Sequence, residues 1–128
     1  MSPLSISSDA KKTPAISRGL LSRMKSAVLG ERYELSVAFV SSAKMRRLNR
    51  QYRSKDTSTD ILSFPLSSDS GEILFCLSDV KKQARLFKRT PSNFLAFLFI
   101  HGLLHLKGMR HGSRMERSEA KFRKQFGV

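Results

Sequence analysis

The sequence predicts an α+β domain in which a helix, not the sheet, carries the chemistry. Three observations predict it. Four short segments alternate apolar and polar residues or form brief apolar runs, and five longer ones repeat apolar residues at helical spacing. Their order, βαβαββααα, predicts a sheet with helices layered against it rather than the strict alternation of a parallel α/β fold. Finally, all three histidines of the chain lie within the eleven residues from His101 to His111, on an apolar helix that ends at a glycine.

The elements follow in order. Leu4-Ser5-Ile6-Ser7 alternates and reads as an edge strand. Thr13-Pro14 reads as an N-cap and first helical residue. The helix after it puts Ile16, Leu20, Leu21, Met24, Val28 and Leu29 on one face and ends at Gly30. Tyr33, Leu35, Val37 and Phe39 alternate with Glu34, Ser36 and Ala38, a half-buried strand. Ser41 or Ser42 caps a short helix reaching about Tyr52, with Met45 and Leu48 inward. Ile61 to Phe64 is a strand stopped by Pro65, Ser67 to Gly71 a turn, and Glu72 to Leu77 a further strand. Ser78 or Asp79 caps a basic helix to about Lys88. Thr90-Pro91 opens the histidine helix, and a last amphipathic helix covers Ser113 to Phe126.

A chain of 128 residues with 40% apolar content is expected to fold as one domain, residues 1–128. Its formal charge of +14 bears on partners more than on fold. Nucleic acid is the leading polyanion and an anionic membrane surface the competitor. No apolar run is long enough to span a bilayer, because the longest, from Phe94, meets His101 after seven residues. The opening MSPLSISSDAKK lacks the apolar centre of a secretory signal. Cys76 is the single cysteine, which excludes an internal disulfide and suits a reducing cytoplasm. Its expected place is a buried strand.

The stretch FLAFLFIHGLLHLKGMRH, Phe94 to His111, reads H-x-x-x-H-x-x-G-x-x-H from its first histidine. Residues four apart on a helix project about 40° from one another, so His101 and His105 face the same way. Gly108 tolerates the left-handed φ that ends a helix and turns the chain back, which brings His111 towards the other two. Three imidazoles placed so leave a fourth tetrahedral position open, the mark of a catalytic rather than a structural zinc. The same spacing occurs in metzincin proteases, with Glu after the first His. Gly102 stands there instead, so the ligand cage is predicted without the peptidase base. An i,i+4 histidine pair on an apolar helix also arises by chance, and Leu103, Leu104 and Leu106 read as plain core.

The second dense stretch is LNRQYRSKDTSTDILSFP, Leu48 to Pro65. By itself it is a basic helix end, a polar loop and a short strand. Together with the histidine motif it resembles the YbeY family of bacterial ribosomal-RNA maturation endoribonucleases. That family carries a segment like LNxxYRxKDxPTDVLSFP, a strand with a Gly-acidic start, and HGxLHLxGYDH. Leu48, Asn49, Tyr52, Arg53, Lys55, Asp56, Thr59, Asp60, Leu62, Ser63, Phe64 and Pro65 match the first, with Ile61 at the valine position. Gly71-Glu72-Ile73 stands at the strand, and His101, Gly102, Leu104, His105, Leu106, Gly108 and His111 match the last.

The resemblance implies a zincin-like α+β fold with a small mixed four-stranded sheet and about five helices, its metal site on the helix that ends at Gly108. It implies one Zn²⁺ per chain on His101, His105 and His111. It also implies a single-strand-type endoribonuclease acting in small-subunit (16S) rRNA 3′-end maturation and ribosome quality control. The expected partners are ribosomal RNA and the ribosome or its subunit, with a ribosomal protein as a further one, and neither DNA nor a membrane. The family's important arginine corresponds to Arg53, a catalytic candidate, because a guanidinium matches two phosphate oxygens at once. Three positions depart from the pattern: Ser58 replaces proline, Met109 replaces tyrosine, and Arg110 stands where the family has Asp. A carboxylate at that last position could orient a ligand; an arginine cannot.

Neither Glu116 nor Glu119 has a spacing that ties it to the metal, and both are expected on a solvated helix face. Lys44, Arg46, Arg47, Arg50, Arg53 and Lys55 form one basic cluster, and Lys81, Lys82, Arg85, Lys88 and Arg89 a second. Lys107, Arg110, Arg114, Arg117, Lys121, Arg123 and Lys124 form a third. Three such clusters favour a polyphosphate partner. The aromatic residues fall mostly on apolar faces, with no stacking signature of an RNA-recognition sheet. Two other functions compete with the ribonuclease. One is a ribosome-associated factor that binds RNA or ribosomal protein with zinc in a structural role. The other is a metallopeptidase, disfavoured by Gly102.

Overall fold

The computed structural model describes residues 4–8 and 16–128. Among them the elements run β1 (Leu4–Ser8), α1 (Arg18–Leu29), β2 (Glu34–Phe39), α2 (Ser42–Arg53), β3 (Ile61–Ser67), β4 (Ser70–Phe75), α3 (Leu77–Leu86), α4 (Pro91–Leu106) and α5 (Ser113–Phe126), the predicted order. The four strands form one mixed sheet, ordered β1-β2-β4-β3. β1 and β4 pair parallel with β2, and β3 pairs antiparallel with β4. β1 is therefore one edge, as its alternation predicted, and β3 is the other.

Strand alternation divides the core between the two sheet faces. Leu35, Val37 and Phe39 of β2 and Ile73 and Phe75 of β4 face the larger cluster, with Leu21, Met24 and Val28 of α1 and Leu95, Phe99, Ile100, Leu103 and Leu104 of α4. The opposite face carries a small cluster of Val40, Met45, Leu62, Leu74 and Cys76 beneath α2. Nine of the sixteen residues of α4 are buried. This helix is apolar around most of its circumference because it packs against α1, α3, α5 and the β3–β4 pair.

Several element ends differ from the sequence expectation. The expected cap at Thr13-Pro14 lies outside the described residues. The described helix begins after Ser17, whose Oγ accepts from the Leu20 N–H at 3.0 Å, so Ile16 precedes it. Pro65 does not stop β3. The strand continues to Ser67, with Pro65 opposite Gly71 and a register irregularity before Ser67. An edge strand tolerates a residue without an N–H. β4 starts and ends two residues earlier than expected. Cys76, buried as expected, is therefore not a strand residue but the N-cap of α3, with no side-chain cap bond. Ser78 and Asp79 fall inside the first turn of α3, where the Asp79 charge still favours the helix dipole. The Ser41 and Thr90 caps are as expected, accepting from Lys44 N and Asn93 N.

Candidate metal centre

The histidine helix ends in a Schellman turn. The Gly108 N–H donates to the His105 carbonyl at 2.9 Å and the Met109 N–H to the Leu104 carbonyl at 3.0 Å. Gly108 has φ +98°, the left-handed region that this turn needs. The reversal carries His111 back over the last turn of α4. Ring centroids are 4.6 Å apart for His101 and His105, 4.9 Å for His105 and His111, and 5.1 Å for His101 and His111. One nitrogen from each ring lies within 4.8 Å of the others, and His101 Nε2 and His105 Nε2 are 3.0 Å apart. Two nitrogens bound to one tetrahedral zinc at 2.0–2.1 Å would be about 3.3 Å apart. The 3.0 Å pair is close to that value and the third nitrogen lies within 4.8 Å of both, so the donor set fits a single ion.

Cys76 does not join this group. His101 and His105 are half-buried and His111 is exposed, which leaves the centre open on one side. Burial pushes the His105 imidazole below its ordinary range, and the neighbouring His101 and His111 rings push the same way. A hydrogen bond to the Met109 backbone and the Glu119 charge oppose the shift. The neutral ring that a metal requires is therefore favoured.

Glu119, expected on a solvated face, is instead held against the centre. Its Oε1 accepts from His101 Nδ1, and its side chain is only 17% exposed. This contact occupies one ring nitrogen and leaves Nε2 to face the other two rings, the usual arrangement behind a metal-bound histidine. The signal was present in the sequence. Met115 and Phe122, the buried residues of α5, are seven apart, and Glu119 lies between them, four after Met115. A carboxylate there sits on the buried stripe. Glu116 is exposed, as expected. Arg110 is exposed too and lines a neighbouring cleft with Lys107, His111 and Arg114.

The three histidines open into a cleft of about 560 Å³ whose other wall is Tyr52 and Arg53 of α2 and Ile61 to Pro65 of β3. The structure thus brings Arg53, 48 positions before His101, to the same cleft as the imidazoles. α2 ends at Arg53 because Ser54 is a left-handed C-cap with φ 56°. The loop that follows is lashed back: buried Asn49 donates from Nδ2 to the Thr57 carbonyl at 2.8 Å. Ser58, at the family's proline position, hydrogen-bonds the Asp79 carboxylate instead. Asp60, at the end of this loop, has its carboxyl raised above the usual range, first by burial.

Gly102 lies where α4 touches the sheet. A Cβ there would be 2.9 Å from Ser63 Oγ, 3.0 Å from Ile61 Cδ1 and 3.2 Å from Ile73 Cδ1. A side chain after the first histidine would have to displace these sheet residues, which glycine avoids. Of the first basic cluster, Arg46 forms a two-bond pair with Asp56 at 3.0 Å and Arg50 approaches the same carboxylate at 3.6 Å. Those two cations are directed to the loop rather than to the cleft. From the third cluster, Arg123 stacks over the Phe97 ring at 5.0 Å.

A family model described as Endoribonuclease YbeY matches residues 5–126. The chain belongs to the YbeY family. Proteins named Endoribonuclease YbeY are similar to it. The one from Mycoplasmopsis synoviae is 40% identical over 69% of this chain and 63% of its own. That from Finegoldia magna is 35% identical over 68% and 61%, and that from Macrococcus caseolyticus 35% over 80% and 75%. The chain thus spans little more than three fifths of the first two relatives' length. The solution structure of TM1509 from Thermotoga maritima superposes with a TM-score of 0.66 at 29% identity, covering 96% of this chain and 88% of that one. No helix among the described residues is long and apolar enough to cross a membrane.

Proposed function

We propose that this chain is a zinc-dependent endoribonuclease of the cytoplasm. Its proposed substrate is ribosomal RNA, cut in the 3′-end maturation of the small-subunit (16S) species and in ribosome quality control. The observation that carries the reading is the shared cleft, with His101, His105 and His111 on one wall and Arg53 on the other. Family membership supports the RNA substrate, and so does a formal charge of +14.

His101, His105 and His111 would hold the ion. Bound there, it would supply Lewis acidity towards a phosphoryl oxygen and acidify a water. The chain's own residues do the rest. Arg53 binds and orients the scissile phosphate, and its exposed position suits a flexible strand entering from solvent. Glu119 fixes the ring orientation of His101. Lys107, Arg110 and Arg114 extend positive charge beyond His111 for flanking phosphates.

The test pairs metal content with RNA cleavage by the purified protein. Wild type should carry one zinc per chain and cut RNA. Chelation and His105→Ala should abolish both. Arg53→Ala should keep the metal and lose cleavage, well beyond the effect of Lys55→Ala. RNA that is bound but left intact by zinc-loaded wild type would favour the ribosome-associated factor instead. Metal retained by His101→Ala would refute the ligand set.

A further inference from the structure

Tyr52 is a large aromatic residue left 59% exposed beside the metal cleft. Its ring meets Phe64 of β3 in an edge contact, with centroids 5.0 Å apart and planes at 62°. The contact holds the Tyr52 ring in place without covering it. A second cleft, of about 530 Å³, lies on the α2 side of the sheet, with Val40, Leu48, Leu66 and Leu74 among its apolar residues. Ser7, Lys44 and Glu72 supply its polar edge. Tyr52, Phe64 and Pro65 line both clefts, so these three side chains are the shared wall between the apolar cleft and the metal centre.

We infer that this wall is a nucleobase subsite: an unpaired base next to the scissile phosphate stacks on Tyr52. The inference deepens the ribonuclease reading and rests on it. Tyr52 and Arg53 both line the cleft of the three histidines, so a phosphate held by Arg53 there places its neighbouring nucleotide within reach of the Tyr52 ring. Any base has an apolar face for such stacking, and aromatic side chains beside a cationic groove are how single strands are held without a sequence code. A duplex keeps its base faces paired and stacked and cannot use the site. Charge also selects this occupant, because Lys44 and Arg53 flank the wall in a chain of net +14. The site was not legible as a stacking platform in the sequence, since Tyr52 ends a helix and Phe64 sits in an apolar strand.

The test uses the full chain, with and without added zinc, and a single-stranded RNA carrying one 2-aminopurine at successive positions. Stacking should quench the probe at one position. Tyr52→Ala should lose that quenching and raise the Kd about 10-fold, the scale of one base stacked on an aromatic ring, while Tyr52→Phe keeps both. An abasic nucleotide at the quenched position should cost wild type the same factor and cost Tyr52→Ala nothing further. Thermal melting of the two variants checks the fold. Unchanged Kd and quenching in folded Tyr52→Ala would overturn the subsite, as would a Tyr52→Ala loss that is the same for intact and abasic RNA. Cleavage by wild type would survive either result and keep the ribonuclease reading. Wild type that neither binds nor cuts RNA would overturn both.

Discussion

Replacing Gly102 by alanine adds one methyl at the point where α4 rests on the sheet, and the structure gives its consequence. Optimal carbon–carbon contact is about 3.5–4.0 Å. The new Cβ would stand 3.0 Å from Ile61 Cδ1 and 3.2 Å from Ile73 Cδ1. Ser63 Oγ, at 2.9 Å, can rotate aside, but Ile73 is fully buried among core neighbours. The helix must therefore lift by roughly half an ångström, an overpacking cost of about 1–3 kcal/mol. Exchanging glycine for alanine inside a helix returns about 1 kcal/mol. The net expectation is a loss of about 0–2 kcal/mol, with each kcal/mol lowering Tm by about 4 °C in a domain of this size.

Gly19, on the exposed side of α1, is the matched control. Its Cβ would meet only Arg23 Nη1, at an ordinary 3.4 Å, so Gly19→Ala should hold or raise Tm. The lifted helix carries His101 and His105 but not His111, so Gly102→Ala should also weaken zinc binding in a competition titration, and Gly19→Ala should not. A Gly102→Ala protein with raised Tm and wild-type zinc affinity would refute the packing argument.

Three further outcomes follow from the same geometry. Glu119→Gln removes the carboxylate from His101 Nδ1 and should lower metal affinity about 10–100-fold by chelator competition, with cleavage falling in parallel. Unchanged affinity would mean the contact supports nothing. In metal-free protein, the lowered His105 pKa means that the unfolded chain takes up this proton first. That contribution to stability is present above the ordinary value of 6.5 and is lost as pH falls towards the folded value. Thermal melts of metal-free protein should therefore drop on acidification across that range, less steeply in His105→Gln; equal slopes would count against the shift. Asn49→Ala removes the bond that ties Thr57 to α2 and should cost about 1–3 kcal/mol in urea unfolding. A smaller loss would mean that water satisfies the Thr57 carbonyl.

Local rules explain what was legible in the sequence. The i,i+4 spacing of His101 and His105 and the glycine at 108 are statements about one helix and one turn. Helical geometry and the φ freedom of glycine fix both without reference to the rest of the chain. The element order and the edge position of β1 were likewise readable from alternation and helical spacing. The same local rules misplaced the end of β3. Pro65 interrupts a strand only if its missing N–H is needed, and that depends on whether the strand lies at the edge of the sheet.

The chain's sequence by itself determined where three imidazoles sit along a helix and the turn after it, and from the two motifs which family it joins. Only the tertiary structure decided what surrounds them: Arg53 and the Tyr52–Phe64 wall across the cleft, the contact of the buried-stripe residue Glu119 with His101, and the sheet that crowds Gly102. The physical reason is distance along the chain. Spacing of a few residues is governed by backbone dihedrals. The packing of α2, β3 and α5 around α4 is set instead by how distant apolar faces bury one another, which no short stretch encodes.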